Sequence, residues 1–279
     1  MSLAIGSSAH NGAPVSGLLA GQCGDVRQHA RVARIRSQGD QGCPTGPAAA
    51  KSKYALQRPR PSPDTSRGWG GSPVNLFKSI QRPAHPLYLT LRKPGCGESL
   101  VAMPSPRTAS QLASRASANG SDVSFKCASF TSGIGGLVVP SASRAFWMQL
   151  DFGDDRPCSE AVRLDVACLV ETTGLPWPNY LIQAGSAAEI LWTTADHVDR
   201  DCWHEFALML QAVVSRVLLR ANPVATVQIA RNFPVPKTWV FTKGRPHPVL
   251  LVGEVRAALA ARDLLSCIAN AHHIVFGTC

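Results

Sequence analysis

The clearest pattern in the chain is an alternation of large apolar and other residues between positions 146 and 152. Phenylalanine, methionine and leucine occupy the even-numbered positions, whereas Trp147, Gln149 and Asp151 occupy the odd-numbered ones. Successive side chains of a β-strand point to opposite faces of the sheet, so this period of two predicts a strand. The strand is expected to end beside Asp151.

Two segments instead repeat apolar residues every three to four positions, which is typical of an amphipathic helix. The first covers residues 159–173 and ends before Gly174, a natural helix terminator. The second runs from Asp199 or Asp201 to Arg220, and its acidic start and basic end suit the helix dipole. We expect both helices to cover a sheet.

Shorter patterned segments complete the fold prediction. Strands are predicted at residues 86–91, 123–127, 180–183, 188–193, 238–242 and 248–252, and helices at 106–115 and 253–269. Basic turn residues separate the last two strands. This interleaving of hairpins and helices is typical of the α+β class, in which helices cover a largely antiparallel sheet.

Residues 1–80 follow neither periodicity and are rich in Gly, Ser, Pro, Ala and Arg. We predict a basic, mostly disordered segment there. The alternative is an upstream extension without a role, such as one from a wrongly chosen start codon. The α+β domain is then expected to cover residues 81–252, with a C-terminal helix and tail at 253–279.

The net charge of +10 comes from the first part of the chain. Residues 1–120 contain 15 Lys and Arg against 4 Asp and Glu, whereas residues 121–279 contain 13 against 14. A basic arm on a nearly neutral domain favours an electrostatic partner such as nucleic acid. A solvated tail without a partner explains the same composition equally well.

The cysteine pattern and the hydropathy bear on the compartment. The nine cysteines are scattered and form no Cys-x-x-Cys pair, which argues against a zinc ribbon. Their odd number fits reduced thiols in a cytoplasm. Apolar runs are shorter than the ~18 residues that a membrane span requires, and no signal peptide is evident. We therefore predict a cytoplasmic protein without a membrane partner.

Five short segments occur in an informative order, and no single one of them is specific. They are residues 118–125 (ANGSDVSF), 147–155 (WMQLDFGDD), 174–182 (GLPWPNYLI), 189–192 (EILW) and the run within 230–246 that contains Ala-Arg, Pro-Lys-Thr and Lys-Gly-Arg-Pro. In order and spacing they resemble the RepB-like branch of the archaeo-eukaryotic primase superfamily, whose members are plasmid and phage replication primases. The resemblance implies a primase-like core, which contains an RRM-like fold, and a role in DNA replication.

The resemblance also implies a particular chemistry. Primases of this kind carry an Asp-x-Asp pair on a strand, a His on the next hairpin and a later Asp. Such carboxylates hold two metal ions about 3.5–4 Å apart, which stabilise the attacking and leaving oxygens. The resemblance therefore assigns catalysis to Asp151 with Asp154 or Asp155, and binding of Mg²⁺ or Mn²⁺ to Asp151 and Asp154.

Three positions depart from that pattern. Gly153 stands at the second carboxylate position, so Asp154 or Asp155 has to substitute for it. Glu189 stands at the His position, where a carboxylate repels a triphosphate, and Gln228 stands at the later Asp position. On the structural alternative, Glu189 is simply an exposed strand residue. The metal site is therefore expected to be divergent.

A basic run follows the second long helix. The residues expected to contact nucleotide or template phosphates are Arg231, Lys237, Lys243 and Arg245. Phosphate contact requires charge rather than strict geometry. The expected partners are single-stranded template DNA and nucleotides. Trp147, Trp177 and Trp192 are either base-stacking platforms or core residues.

Three hypotheses follow from the sequence. The first is a replication protein with a primase-polymerase-like domain that is divergent at its metal site. The second is a non-catalytic nucleic-acid-binding remnant of such a protein. The third is a decayed or mispredicted reading frame without function.

Overall fold

The computed structural model describes residues 72–81, 85–93, 97–132, 138–153, 159–242, 245–252 and 255–277. These residues belong to one compact unit. We predicted disorder for most of residues 1–80. Of these, residues 1–71 lie outside the described residues.

The described residues form six helices and ten strands. The helices are α1 (Pro73–Ile80), α2 (Pro106–Ala118), α3 (Ser159–Thr173), α4 (Arg200–Val217), α5 (Pro223–Thr226) and α6 (Ala261–Phe276). The strands are β1 (Leu87–Lys93), β2 (Gly97–Met103), β3 (Asp122–Lys126), β4 (Ala128–Ser132), β5 (Val138–Asp151), β6 (Tyr180–Ala184), β7 (Ala187–Asp199), β8 (Asn232–Pro234), β9 (Trp239–Thr242) and β10 (Arg245–Leu251).

The strands form two antiparallel sheets. The four-stranded sheet has the order β2-β1-β3-β8, and the six-stranded sheet has the order β4-β5-β7-β6-β10-β9. Every pairing between these strands is antiparallel. The α+β class with a largely antiparallel arrangement is therefore confirmed. The sequence indicated one sheet rather than two, because β2, β4 and β8 have no clear alternation of their own.

Strand β5 lies at the centre of the core. Trp147 is fully buried, and its ring lies 4.8 Å from that of Trp203 in α4 and 5.0 Å from that of Phe233 in β8. The Trp147 indole N–H donates to the Ala225 carbonyl at 2.9 Å, and that of Trp203 donates to the Ala145 carbonyl at 2.8 Å. Because both indole donors are satisfied, these large side chains are buried without loss of a hydrogen bond.

Helix α1 corrects the N-terminal boundary. It lies within the segment that we predicted to be mostly disordered, but Leu76, Phe77 and Ile80 are buried in the core. The Ser72 hydroxyl accepts from the Val74 N–H at 3.2 Å, and Pro73 occupies the first turn. This capping and this apolar stripe explain the helix. The α+β domain therefore begins before residue 81.

The C-terminal helix also differs from the prediction. We predicted a helix at residues 253–269, whereas α6 covers Ala261–Phe276. The described residues before it, 255–260, are not helical; the Leu259 N–H donates to the Thr193 carbonyl, and the Leu259 carbonyl accepts from the Ala195 N–H. An isolated bridge between Leu259 and Thr194 of β7 therefore lies where the predicted helix would have continued.

The hairpin β9–β10 is tighter than expected. The turn was predicted to extend to His247, but β10 begins at Arg245, which pairs with Thr242, and His247 pairs with Val240. Other predicted bounds agree better: α3 has the predicted bounds, and α4 ends at Val217 instead of Arg220. Among the residues that the structure describes, no helix has the length and hydropathy to span a membrane.

Candidate functional site

An open groove of about 320 Å³ lies between the two sheets. Polar side chains line it from both sides. From the four-stranded sheet they are Thr90, Arg92, Glu98, Asp122, Ser124 and Asn232, and from the six-stranded sheet they are Gln149 and Glu189. The groove therefore contains three carboxylates and one guanidinium. This position between two sheets makes it the candidate site in the described part of the chain.

Strands β5 and β7 place Gln149 directly opposite Glu189. The Gln149 amide Nε2 donates to Glu189 Oε1 at 3.0 Å. Glu189 is only 4% exposed, so the alternative of a simple exposed strand residue is wrong. A buried carboxylate requires donors around it, and Gln149 is the first of them.

Arg231 is the second donor to this carboxylate. Its Nη2 donates to the same Glu189 Oε1 at 2.7 Å, and its side chain is 15% exposed. Arg231 immediately precedes β8 of the four-stranded sheet, whereas Glu189 belongs to the six-stranded sheet. The ion pair therefore connects the two sheets.

A second layer holds Gln149 in place. The Asn222 amide Nδ2 donates to Gln149 Oε1 at 3.0 Å, and the Asn222 backbone N–H donates to the Gln149 carbonyl at 2.8 Å. Asn222 also caps α5. Four polar residues from four segments thus form one network, with the Glu189 carboxylate at its centre.

The network changes the titration of Glu189. Burial raises the pKa of this carboxyl above its ordinary value, and the Arg231 guanidinium and the Gln149 amide partly oppose the rise. Glu189 Oε2 and Arg231 Nε are buried without a hydrogen-bond partner. The ion pair therefore rests on one close contact and not on a bidentate one.

Asp151 is the exposed last residue of β5. It lies two positions beyond Gln149, opposite Ala187, and thus on the same face of the strand. Its Oδ1 accepts from the Gly153 N–H at 2.9 Å, and Gly153 has a left-handed φ of 67°. In this structure Asp151 stabilises the turn after β5.

The residues described here do not fit a two-metal centre. Gly153 has no side chain, and Glu189 Oε1 is already held by Gln149 and Arg231. The Gln228 side chain offers only a neutral amide. The Gln228 backbone carbonyl accepts from the Arg231 backbone N–H at 2.9 Å. Within the described ranges, no group of three His, Cys, Asp or Glu side chains is placed to hold a metal ion. Asp154 and Asp155, the predicted substitutes, lie outside them.

The predicted phosphate-binding residues fall into different environments. Arg231 is mostly buried and paired with Glu189, whereas Lys237 and Arg245 are exposed. Lys237 donates its backbone N–H to the Val249 carbonyl at one end of the β9–β10 ladder, and Arg245 lies at the other end. Lys243 lies outside the described residues. Exposed cations therefore flank the hairpin but do not form one cluster.

Lys237 has an unusual backbone. Its φ of 65° is the only positive value at a non-glycine residue in the described part of the chain. This conformation strains residues with a Cβ atom. The turn connects β8 of one sheet with β9 of the other, and the Thr238 hydroxyl closes it by donating to the Val235 carbonyl at 2.6 Å.

The tryptophans are mainly structural. Trp147 and Trp192 are buried, and the Trp192 indole N–H donates to the Pro176 carbonyl at 2.7 Å. Trp177 is half-buried, with the Arg256 guanidinium 5.6 Å from its ring centre. Trp147 and Trp192 are therefore core residues and not base-stacking platforms.

Sequence reasoning missed several residues in and beside the groove. Gln149 was visible as a polar residue in an apolar strand, but Asn222 gave no signal. Asp122 was also missed, and its Oδ1 accepts from the Phe241 N–H at 2.8 Å, which ties β3 to β9. Asn179 of the 174–182 segment is structural, because its Oδ1 accepts from the Thr193 N–H at 2.6 Å.

Comparison with solved structures identifies the fold. The chain is similar to the AEP domain of the primase-polymerase of cyanophage S-2L, with a TM-score of 0.51 and 11% identity over 70% of this chain and 96% of that domain. Primase RepB′ gives a TM-score of 0.45 at 12% identity over 71% of this chain and 60% of its own length. The catalytic domain of RepB′ in complex with initiator DNA gives 0.44 at 13% identity, over 70% of this chain and 88% of that domain.

The sequence itself matches no protein-family model and no curated protein. Because the structural matches are only 11–13% identical to this chain, they establish its fold alone. The resemblance inferred from five short segments is therefore confirmed at the level of an archaeo-eukaryotic primase fold.

Proposed function

We propose that this chain, whose described residues have the fold of an archaeo-eukaryotic primase domain, is a DNA replication protein that binds single-stranded template DNA and is divergent at the metal site of that fold. The observation that carries the proposal is the similarity to a phage primase-polymerase domain over 96% of that domain. A plasmid or phage element is the expected source of such a protein.

The basic residues around the β9–β10 hairpin support DNA binding. Lys237 and Arg245 are exposed at its two ends, and Lys243 lies between them in the sequence. Phosphate contacts of this kind are electrostatic and independent of sequence. Arg231 has a different role, because its guanidinium is engaged by Glu189.

Metal-dependent nucleotidyl transfer would require carboxylates at the end of β5. Asp151 is exposed on the face of β5 that carries Gln149, and it is the remaining carboxylate on that strand end among the described residues. Catalysis with Mg²⁺ or Mn²⁺ would need Asp154 or Asp155 as a second carboxylate. The alternative without catalysis is a nucleic-acid-binding remnant.

A salt titration of DNA binding tests the main proposal. The full chain and the triple variant Lys237→Gln/Lys243→Gln/Arg245→Gln are titrated with a fluorescent single-stranded oligonucleotide at several salt concentrations. Removing three phosphate contacts should lower the slope of log affinity against log salt by about 2. Affinity at low salt should fall in parallel.

The matched control is Arg107→Gln/Arg115→Gln/Arg163→Gln, which removes the same charge from exposed positions on α2 and α3. This control should leave most of the affinity in place. If both triple variants reduced binding equally, the hairpin would not be the interface. Absence of wild-type binding at low salt would reject the proposed function.

A further inference from the structure

The ion pair between Glu189 and Arg231 joins residues of the two sheets. Glu189 lies at the strand position where the family-like pattern has a His, and it is only 4% exposed. An ionised carboxylate away from water is stable only with a compensating cation and hydrogen bonds. The Arg231 Nη2, 2.7 Å from Glu189 Oε1, is that cation.

The contact between Arg231 and Glu189 also connects the two sheets, because Arg231 is held from the four-stranded sheet. The residue enters the site from the segment before β8, and the Lys126 ammonium of β3 donates to the neighbouring Ala230 carbonyl at 2.7 Å. Arg231 also lies over the Phe233 ring, with its central guanidinium carbon 5.8 Å from the ring centre. The guanidinium is therefore held from the four-stranded sheet while it contacts a carboxylate of the six-stranded sheet.

We infer that the Arg231 guanidinium is a built-in cation at this end of the groove, which neutralises Glu189, joins the two sheets and leaves no place for a divalent metal ion on that carboxylate. A divalent cation on the Glu189 carboxylate would lie within a few ångströms of the guanidinium, and the repulsion between them would be strong at low dielectric. Gln149 already shares the same oxygen. The inference depends on the fold and the ion pair, and it is independent of DNA binding.

Other charged or titratable groups face the same region. They are Arg92, Glu98 and Asp122 across the groove and the buried thiol of Cys127, whose pKa is raised by burial and by the Glu189 charge. Within the described residues, the charged side chain in hydrogen-bond contact with Glu189 is Arg231 alone. Loss of the guanidinium therefore leaves the carboxylate uncompensated.

Thermal unfolding of two variants tests the charge balance. Arg231→Met keeps most of the side-chain volume but removes the cation, and we expect its melting temperature to fall by about 10 °C near neutral pH. The loss should shrink as pH falls, because a protonated Glu189 needs no compensating cation. Arg231→Met/Glu189→Gln removes both charges and should recover most of the loss, which also excludes a general packing defect.

Metal binding is the second readout. Manganese is added at millimolar concentration to the wild type, to Glu189→Gln and to the control Glu98→Gln, an exposed groove carboxylate outside the network. We expect the three proteins to show the same change, if any, in melting temperature. A manganese-induced stabilisation of the wild type and Glu98→Gln that is lost in Glu189→Gln would overturn the inference. Equal stability of Arg231→Met and the wild type near pH ~8 would also overturn it.

Discussion

Gln149 and Glu189 face each other across β5 and β7, and the amide of Gln149 donates to the buried carboxylate of Glu189 at 3.0 Å. Their strands form the longest pairing of the six-stranded sheet. A polar pair at this point costs desolvation that an apolar pair would not. The pair is kept together by Arg231 on one side and Asn222 on the other.

The first prediction concerns the pH dependence of stability. The pKa of Glu189 in the folded state is raised above its ordinary value of 4.5, chiefly by burial. The folded chain therefore binds the proton more tightly than the unfolded chain does. The contribution of Glu189 to the free energy of unfolding is full below that ordinary value and is lost as pH rises through the folded pKa.

Denaturant unfolding at a series of pH values measures this effect. The free energy of unfolding of Glu189→Gln relative to the wild type should increase as pH rises, because the amide does not ionise. Glu98→Gln, which removes an exposed carboxyl outside the network, is the matched control. A difference between Glu189→Gln and the wild type that does not change with pH would contradict the prediction.

Lys237 gives a prediction in which stability and binding change in opposite directions. Its φ of 65° suits glycine, so Lys237→Gly should raise the free energy of unfolding by about 1 kcal/mol. The same change removes an exposed cation and should weaken binding to single-stranded DNA. Chemical denaturation and the anisotropy titration measure the two effects.

The control for this position is Lys237→Ala, which removes the charge but keeps the strained Cβ atom. It should weaken DNA binding as much as Lys237→Gly does, without the gain in stability. If neither variant changed DNA affinity, Lys237 would have no contact with the nucleic acid.

The helices show which parts of the fold the sequence predicts. Helix α3 ends as predicted because Gly174, with a left-handed φ of 70°, terminates it locally. The predicted start of the last helix is wrong. Residues 253–260 contain several good helix formers, and this composition favoured a helix that does not form there. There the Asn179 amide donates to the Arg256 and Ala257 carbonyls, so these acceptors are engaged outside a helix.

The site was predictable to a smaller extent, for a related reason. Glu189 stood out as a departure from the family-like pattern, but its burial depends on Arg231, which is 42 positions away in the sequence. Neither residue has a local pattern that indicates the other. Long-range contacts of this kind follow from the crossing of the chain between sheets and not from periodicity.

Two variants of Asp151 distinguish a structural role of this residue from a catalytic one. Asp151→Asn keeps an oxygen that can accept from the Gly153 N–H but is a weaker metal ligand, whereas Asp151→Ala removes both functions. If the chain synthesises primers with Mg²⁺ or Mn²⁺, both variants should lose that activity by a large factor, and only Asp151→Ala should lose stability.

Primer extension on a single-stranded template and thermal unfolding measure these two effects. Glu205→Ala, at an exposed position on α4, is the control for a lost surface carboxylate. Primer synthesis that is unchanged in both Asp151 variants would remove this residue from the mechanism and favour the non-catalytic alternative.

Unfolding of the wild type and of a variant in its aromatic core tests whether the chain is a folded protein and not a decayed reading frame. Trp147 is fully buried against Trp203 and Phe233, and its indole N–H donates to Ala225. Trp147→Ala should lower the free energy of unfolding by about 3–5 kcal/mol because it leaves a large cavity. The wild type should unfold in one cooperative transition in denaturant, observed by fluorescence and by circular dichroism. A gradual loss of signal in the wild type, with no effect of Trp147→Ala, would instead support a chain without a specific core.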